Sequence, residues 1–438
     1  MLLSSHLYAI DSLDMKRETL CLHGGQQPDP TTNSRAVPVY RTASYVFDST
    51  EHAANLFALK ELGNIYTRLM NPTTDVLEKR VALLEGAHEL GGLAVASGTS
   101  AIFYAIINLA QAGDNIISSA NLYGGTYTQF NDILPALGIK VKFVNANNPD
   151  EIKAAIDDKT RAVFTETISN PASEVMDLEM MADIAHAHGL PLIVDSTFST
   201  PHLCRPIEHG ADIVVHSLTK WLGGHGTAIG GIVIDSGKFN WAAGKHPLFD
   251  TPDTSYHGLR WGHDLPEPLA PLAYILRMRT VPLRNLGACI SPDNSWHALQ
   301  GIETLHIRMD RHCENALAVA KHLQSHPSVE WVKFPGLEGD AEYQRNQKYQ
   351  AGKGGSVVTF EIKGGQESGK KFIESLSLFS HLANVGDAKS LAIHPASTTH
   401  SQLNPEQQAS GGISPGLIRL SIGIEHIDDI IADIDSAL

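Results

Sequence analysis

The 438-residue chain has little cysteine: Cys21, Cys204, Cys289 and Cys313, none in C-x-x-C spacing. This excludes a zinc ribbon or a disulfide-stapled secreted scaffold and suits a reducing, cytoplasmic setting. Positive charge is also scarce. With 33 Lys and Arg against 48 Asp and Glu the net charge is −15, which argues against nucleic acid or an anionic membrane as a partner. Long apolar runs are missing too. The most apolar stretch, 91–113, contains Ser97, Thr99, Ser100 and Asn108 and reads as strand, loop and buried helix rather than a membrane span. Residues 1–14 lack a basic start and a long apolar core, and Asp11 and Asp14 interrupt what apolarity there is, so no targeting signal is expected. Met15, followed by Lys16-Arg17-Glu18, is a second candidate start. No internal repeat or low-complexity tract is present.

What is there is an ordinary globular mix, 42% hydrophobic and 18% charged, long enough for two or three domains. Residues 1–72 are turn-rich with isolated aromatics, as expected of an arm that packs on another surface. TTDVLEKRVALLEG (73–86) starts a helical pattern, with Leu77, Val81 and Leu84 on one face and Gly86 as a stop. From 92 to 235 short apolar runs alternate with helical stretches. The expected strands are 92–98, 114–120, 140–145, 161–167, 190–196, 211–217 and 229–235. Such alternation predicts an α/β domain (73–289) with a mostly parallel sheet sandwiched by helices, its active residues at the strands' carboxyl ends. Residues 236–265, with Phe239, Trp241, Phe249, Tyr256, His257 and Trp261, break the pattern and read as a functional loop. A smaller α+β domain (290–438) is expected to follow, with a helix over 314–326, a strand over 355–365 and the alternating LIRLSIGIE (417–425). There Ile418, Leu420, Ile422 and Ile424 share one face, and Arg419, Ser421 and Gly423 the other. An amphipathic helix closes the chain.

The strongest chemical signal is SLTKWLGGHG (217–226), directly after a strand. A lysine at a strand's carboxyl end, flanked by glycines that let backbone approach a ligand, forms a Schiff base once its amine is desolvated enough to lose a proton. Alone, Lys220 fits a solvated lysine in a glycine-rich turn better, since most lysines are solvated. Asp195 changes the weighing. It ends the buried strand LPLIVDS, where an isolated carboxylate is costly, and such a carboxylate keeps a pyridine nitrogen protonated so that the ring stores electrons. ASGTSA (96–101) joins a strand to a helix, and the backbone N–H groups of Gly98 and Thr99, with the Ser217 and Thr219 hydroxyls, would cup a phosphate. In NLYGGTY (121–127), Tyr123 is placed to stack on a ring. The clusters His186/His188, His202/Cys204/His209 and His216/His225 lack metal-site spacing, and no metal is expected.

Tyr66-Thr67-Arg68, Asn71-Pro72-Thr73, SGTSA, LYGGTY, SNP (169–171), VDSTFSTP (194–201), SLTKWLGGHG, HPASTTH (394–400) and IRLSIGIE (418–425) occur in that order. The chain thereby resembles the cysteine/methionine-metabolism family of fold-type I pyridoxal phosphate enzymes over nearly everything after residue 15. Within it, the chain resembles the O-acetylhomoserine sulfhydrylases most. The resemblance implies that Lys220 holds the cofactor, Asp195 pairs with its ring nitrogen, and Tyr123 stacks on the ring and is a candidate acid/base. It implies Gly98, Thr99, Ser217 and Thr219 at the phosphate, Asn170 near the phenolic oxygen, and Arg419 on the substrate carboxylate. Tyr66 and Arg68 would reach the phosphate of a neighbouring subunit, in a homotetramer with shared sites.

Three departures sort the subfamilies. Gly125 stands where methionine γ-lyases carry cysteine. Asn384, assigned to the substrate site, stands where lyases and cystathionine synthases usually have serine. The aromatic insertion 236–265 is typical of the sulfhydrylases. The implied reaction is a γ-replacement giving homocysteine and acetate, for methionine biosynthesis, with sulfide or a sulfur-carrier protein's thiocarboxylate as donor. Cystathionine γ-synthase, O-succinylhomoserine sulfhydrylase and a catalytically silent cofactor-binding scaffold are the alternatives.

Overall fold

Seven short strands rich in Val and Ile build the central sheet: β1 (Gly92–Val95), β2 (Asn115–Ser119), β3 (Lys140–Val144), β4 (Thr160–Glu166), β5 (Leu192–Asp195), β6 (Ile213–Ser217) and β7 (Gly231–Asp235). The structure is a computed structural model that describes residues 15–170, 172–398 and 414–438. Asp11 and Asp14 with the rest of 1–14, Pro171 of the SNP motif and residues 399–400 of HPASTTH lie outside the described residues.

The strand order is β1-β7-β6-β5-β4-β2-β3. β2 to β6 pair in parallel, whereas β7 runs antiparallel to both β1 and β6. Both faces are covered. Val214 and Val194 point into a buried cluster with Leu77, Val81 and Met181, while Ile213, Val215 and Ile193 point into another with Ile102, Tyr104 and Tyr274. Alternate residues of one strand thus meet helices on opposite sides, which is why these strands read as continuous apolar runs. The fold is α/β with a mostly parallel sheet, as the alternation of runs predicts.

The helix Pro72–Glu85 shows why its ends fall where they do. Asn71 caps it by accepting the Thr73 N–H at 3.0 Å, Pro72 occupies the first turn, and Gly86 leaves it in the left-handed region at φ 78°. The segment before it is less detached than its weak periodicity implies. Leu20 and Cys21 of the helix Arg17–His23 are buried with Leu77 and Val81, a helix too short to print a period in the sequence. Beyond it, Val46 is 97% exposed.

The C-terminal part carries a second sheet of β8 (Val329–Lys333), β9 (Val357–Ile362), β10 (Ser380–His381), β11 (Leu391–Ile393) and β12 (Leu417–Ser421), ordered β10-β11-β12-β9-β8. The helices Leu305–Ser325, Gly365–Ser375 and Ile427–Ala437 pack on one face, where Ile418 and Leu420 meet Val319, Phe372 and Ile430. The opposite face is also buried, Arg419 included, because it lies against the large sheet's side of the molecule.

The insertion 236–265, which its composition marks as a functional loop, turns most of its aromatic rings inward. Trp241, Phe249, Tyr256 and Trp261 are buried, and Trp241 stacks on Phe249 and on Tyr274 at 4.4 and 5.0 Å between centroids. Large aromatic surface is most stable out of water, and stacking adds to that gain. These rings are packing groups of the cluster that covers one face of the central sheet. Among the described residues, no helix is long and apolar enough to cross a membrane.

Candidate active site

The carboxyl ends of β4, β5 and β6 lie side by side, and each ends in a polar residue facing the same hollow. Glu166 and Asp195 are register partners. Among the described residues Asp195 is hydrogen-bonded on one oxygen: its Oδ1 accepts the Thr197 N–H at 2.9 Å and the Thr197 hydroxyl at 2.6 Å. Thr197 Oγ1 also accepts the Ser217 N–H at 2.8 Å, which ties the end of β5 to the end of β6. Burial raises the Asp195 carboxyl above its ordinary range, and the bonds from Thr197 oppose that rise.

Lys220 sits in the turn after β6, closed by Gly223 N–H to Leu218 O at 2.9 Å and Gly224 N–H to Lys220 O at 2.7 Å. The next two carbonyls face a buried cation. Arg308 donates to Trp221 O at 2.8 Å and to Gly301 O at 2.7 Å, and reaches Leu222 O at 3.5 Å. Gly224 has φ +74°, and a Cβ there would stand 2.1 Å from Arg308 Nη1, so only glycine fits. Trp221 is pinned in turn through its indole N–H to Ser356 at 2.8 Å.

Two long-range pairs complete the hollow. Lys220 Nζ donates to Asn384 Oδ1. Arg419 Nη1 donates to Asn170 Oδ1 at 3.0 Å. Burial lowers the Lys220 amine to about 8, helped by the positive charge of Arg419. Burial also lowers Arg419, to about 10, against the pull of Tyr123. Tyr123 is 50% exposed and caps the short helix Gly124–Thr128, with its N–H held by Glu166 Oε1 at 2.7 Å.

A cradle for an anion lies beside this group. Ser97 caps the helix Gly98–Ile107 by accepting the Ser100 N–H at 3.1 Å, and the first-turn N–H groups of Gly98 and Thr99 have no intrahelical acceptor. A Cβ on Gly98 would come within 2.6 Å of Ser217 Cβ, so backbone and Ser217 form one floor. Thr219 stands differently from the expectation. Its hydroxyl is engaged with Gly230, donating to the carbonyl at 3.3 Å and accepting the N–H at 3.2 Å, and braces the turn to the start of β7.

The structure therefore brings together Lys220, Asn384, Arg419, Asn170, Tyr123 and Asp195, with Gly98 and Ser217 in contact beside them. It does not bring Tyr66 and Arg68 to them within one chain. The Arg68 guanidinium lies 5.1 Å from the centre of the Tyr66 ring, and no described hydrogen bond or ion pair joins either residue to the hollow. Of the histidines in the three clusters, four pair with carboxylates, His186 with Asp212, His202 with Asp310, His209 with Glu179 and His216 with Glu85, while His188 and His225 bond the carbonyls of Ile184 and Gly223. Among the described residues no set of three or more His, Cys, Asp or Glu converges on a point. Sequence reasoning missed Glu166, Thr197 and Arg308. Glu166 carried the same signal as Asp195, a carboxylate ending a buried strand, and Thr197 stood inside VDSTFSTP. Arg308, on a long helix far along the chain, carried none.

A neutralisable amine facing a guanidinium, a carboxylate with one oxygen left open and a helix N-terminus beside a serine suit a phosphorylated aldehyde with a basic ring nitrogen. Fold and site together define the class of α/β enzymes that capture such a cofactor on a lysine. The chain belongs to the Cys/Met metabolism PLP-dependent enzyme family, whose model matches residues 18–438. It is 56% identical over 430 residues to an O-acetyl-L-homoserine sulfhydrylase of Leptospira meyeri, covering 97% of each chain. It is 52% identical over 424 residues to a homocysteine synthase of Schizosaccharomyces pombe, covering 96% of this chain and 97% of that one. A crystal structure of a Campylobacter jejuni protein named as a "putative O-acetylhomoserine (thiol)-lyase", containing N′-pyridoxyl-lysine-5′-monophosphate, superposes with a TM-score of 0.92. That protein is 42% identical, and the match covers 97% of this chain and 99% of the other.

Proposed function

We propose that the protein carries out a γ-replacement on O-acetyl-L-homoserine, exchanging acetate for sulfur to give L-homocysteine. The observation that carries this is the two pairs Lys220–Asn384 and Arg419–Asn170, in a chain 56% identical over 97% of its length to a named sulfhydrylase. Pyridoxal phosphate, when bound, supplies an electron sink for charge developing at the substrate α-carbon.

In this reading Lys220 would hold the cofactor's carbonyl carbon, Asp195 its ring nitrogen through the oxygen that Thr197 leaves open, and Tyr123 the ring face. Gly98, Thr99, Ser217 and Thr219 would hold the phosphate, with Thr219 giving up its bond to Gly230. Arg419 presents a planar fork that fixes the substrate carboxylate, and Asn170 orients that fork from behind. Once free, the Lys220 amine, lowered to about 8, is in large part neutral in mildly alkaline solution and takes the α-proton; Asn384 keeps Nζ at that position. The C–O bond to acetate breaks and a C–S bond forms at the γ-carbon.

Tyr66 and Arg68 would serve the phosphate of a neighbouring copy, making the 1–72 arm part of a partner's site in a cytoplasmic homotetramer. The sulfur donor is sulfide or a carrier protein's thiocarboxylate. The deciding experiment offers O-acetylhomoserine with sulfide and cysteine together and analyses the products. Homocysteine should dominate; mainly cystathionine would overturn this reading in favour of a cystathionine γ-synthase.

A further inference from the structure

We infer that Glu166 is a positioning residue that works as a neutral carboxylic acid, holding the Tyr123 loop in place and leaving Asp195 the sole anion beneath the ring nitrogen. The inference rests on the reading that Asp195 serves that nitrogen. Glu166 and Asp195 are the last residues of adjacent parallel strands and stand in register, so their side chains leave the same face of the sheet. Glu166 is 6% exposed, and Thr167 N–H donates to Asp195 O at 2.9 Å, which keeps the two strand ends locked together. Two carboxylates on neighbouring strand ends, Glu166 buried and Asp195 half-buried, oppose each other's ionisation.

The surroundings decide which one keeps the proton. Asp195 accepts two hydrogen bonds from Thr197 and has the charge of His216, on the next strand, in its favour. Glu166 accepts one hydrogen bond, from the Tyr123 N–H at 2.7 Å. Among the described residues the charged neighbour that bears on it is Asp195, which opposes its ionisation. Burial first, and that like charge second, push the Glu166 carboxyl well above the ordinary range. A neutral acid still accepts the Tyr123 N–H through its carbonyl oxygen, and it adds no second negative charge to the one that Asp195 presents. A buried acid kept neutral for a positional task is an established device of active sites.

Glu166→Gln preserves both shape and neutrality, whereas Glu166→Met preserves bulk but removes the acceptor. The first readout needs neither cofactor nor substrate: infrared difference spectra of the apoprotein at neutral pH should show a protonated-carboxyl band in wild type that Glu166→Gln lacks. In Asp195→Asn that band should disappear at a lower pH than in wild type, since the opposing charge is gone. In the second readout, Glu166→Gln should bind pyridoxal phosphate within about threefold of wild type, with the pH midpoint of its visible band unmoved, while Glu166→Met weakens binding about tenfold. Loss of cofactor affinity in Glu166→Gln, or the absence of a Glu166-dependent carboxyl band, would overturn the inference. If Asp195→Asn instead leaves the bound cofactor's spectrum unchanged, the reading of Asp195 fails, a separate result from failure at Glu166.

Discussion

The Lys220 amine donates a hydrogen bond to Asn384 Oδ1, across 164 positions of chain. A side chain with four rotatable carbons gains most from such a tether, because an unheld amine spends its time over many rotamers. Asn384→Ala is expected to keep the cofactor and lower kcat by about tenfold, the effect of one lost hydrogen bond near a charge. Asn384→Ser, whose hydroxyl is shorter, should fall between. Steady-state kinetics with the cofactor spectrum recorded alongside would check this, and an unchanged kcat in the alanine variant would contradict it.

The pH dependence follows from what lowers the Lys220 amine. Burial is the larger cause and the Arg419 charge the smaller, together bringing it to about 8. The amine reacts when neutral, so capture of pyridoxal phosphate by apoprotein should rise with pH through a midpoint near that value. Removing the guanidinium in Arg419→Met favours the ammonium form and should move the midpoint upward. It should stay below the value of an ordinary lysine because burial remains. Stopped-flow capture rates against pH measure this, and a downward move would refute the assignment.

Gly224→Ala tests the support of the lysine turn. The residue sits at φ +74°, and a methyl group would collide with Arg308 Nη1, whose guanidinium serves the carbonyls after Lys220. A left-handed non-glycine residue alone costs about 1–3 kcal/mol, so a lower Tm and weaker cofactor retention are expected together. Arg308→Met should weaken retention as well.

The pair His216–Glu85 is fully buried with 2.6 Å between Nε2 and Oε1. It links β6 to the end of the helix Pro72–Glu85, one residue before Ser217. Removing one partner of a buried pair strands the other, at about 3–5 kcal/mol. Glu85→Ala should therefore show a much reduced urea midpoint, whereas the double replacement by apolar residues should recover part of it.

Sharing of sites between chains has its own test. Neither Tyr66 nor Arg68 joins the Lys220 group in one chain, and their guanidinium–ring contact stands apart. Arg68→Ala and Lys220→Ala subunits, each inactive alone, should regain activity when mixed and exchanged, because half-repaired pairs hold one intact site. No recovery despite proven exchange would place each site within a single chain.

The apolar runs of β1 to β7, the turn holding Lys220 and the carboxylate closing β5 were all legible in the sequence by itself, since strand burial and strand ends are written locally, in side-chain type and spacing. The fold class followed from their alternation, and the family from the order of short motifs. Other features were decided only in three dimensions. β7 runs antiparallel between β1 and β6, which no periodicity records, because a strand's pattern is the same in either direction. The aromatics of 236–265 read as a functional loop, and four of them, Trp241, Phe249, Tyr256 and Trp261, are buried, since composition cannot tell an exposed ring from a buried one. Arg419 meets Asn170 across 249 positions, and Glu166 meets Asp195 across a strand pairing. Such meetings depend on which strands become neighbours and how two sheets pack, and that is settled by burial of the whole chain rather than by any segment of it.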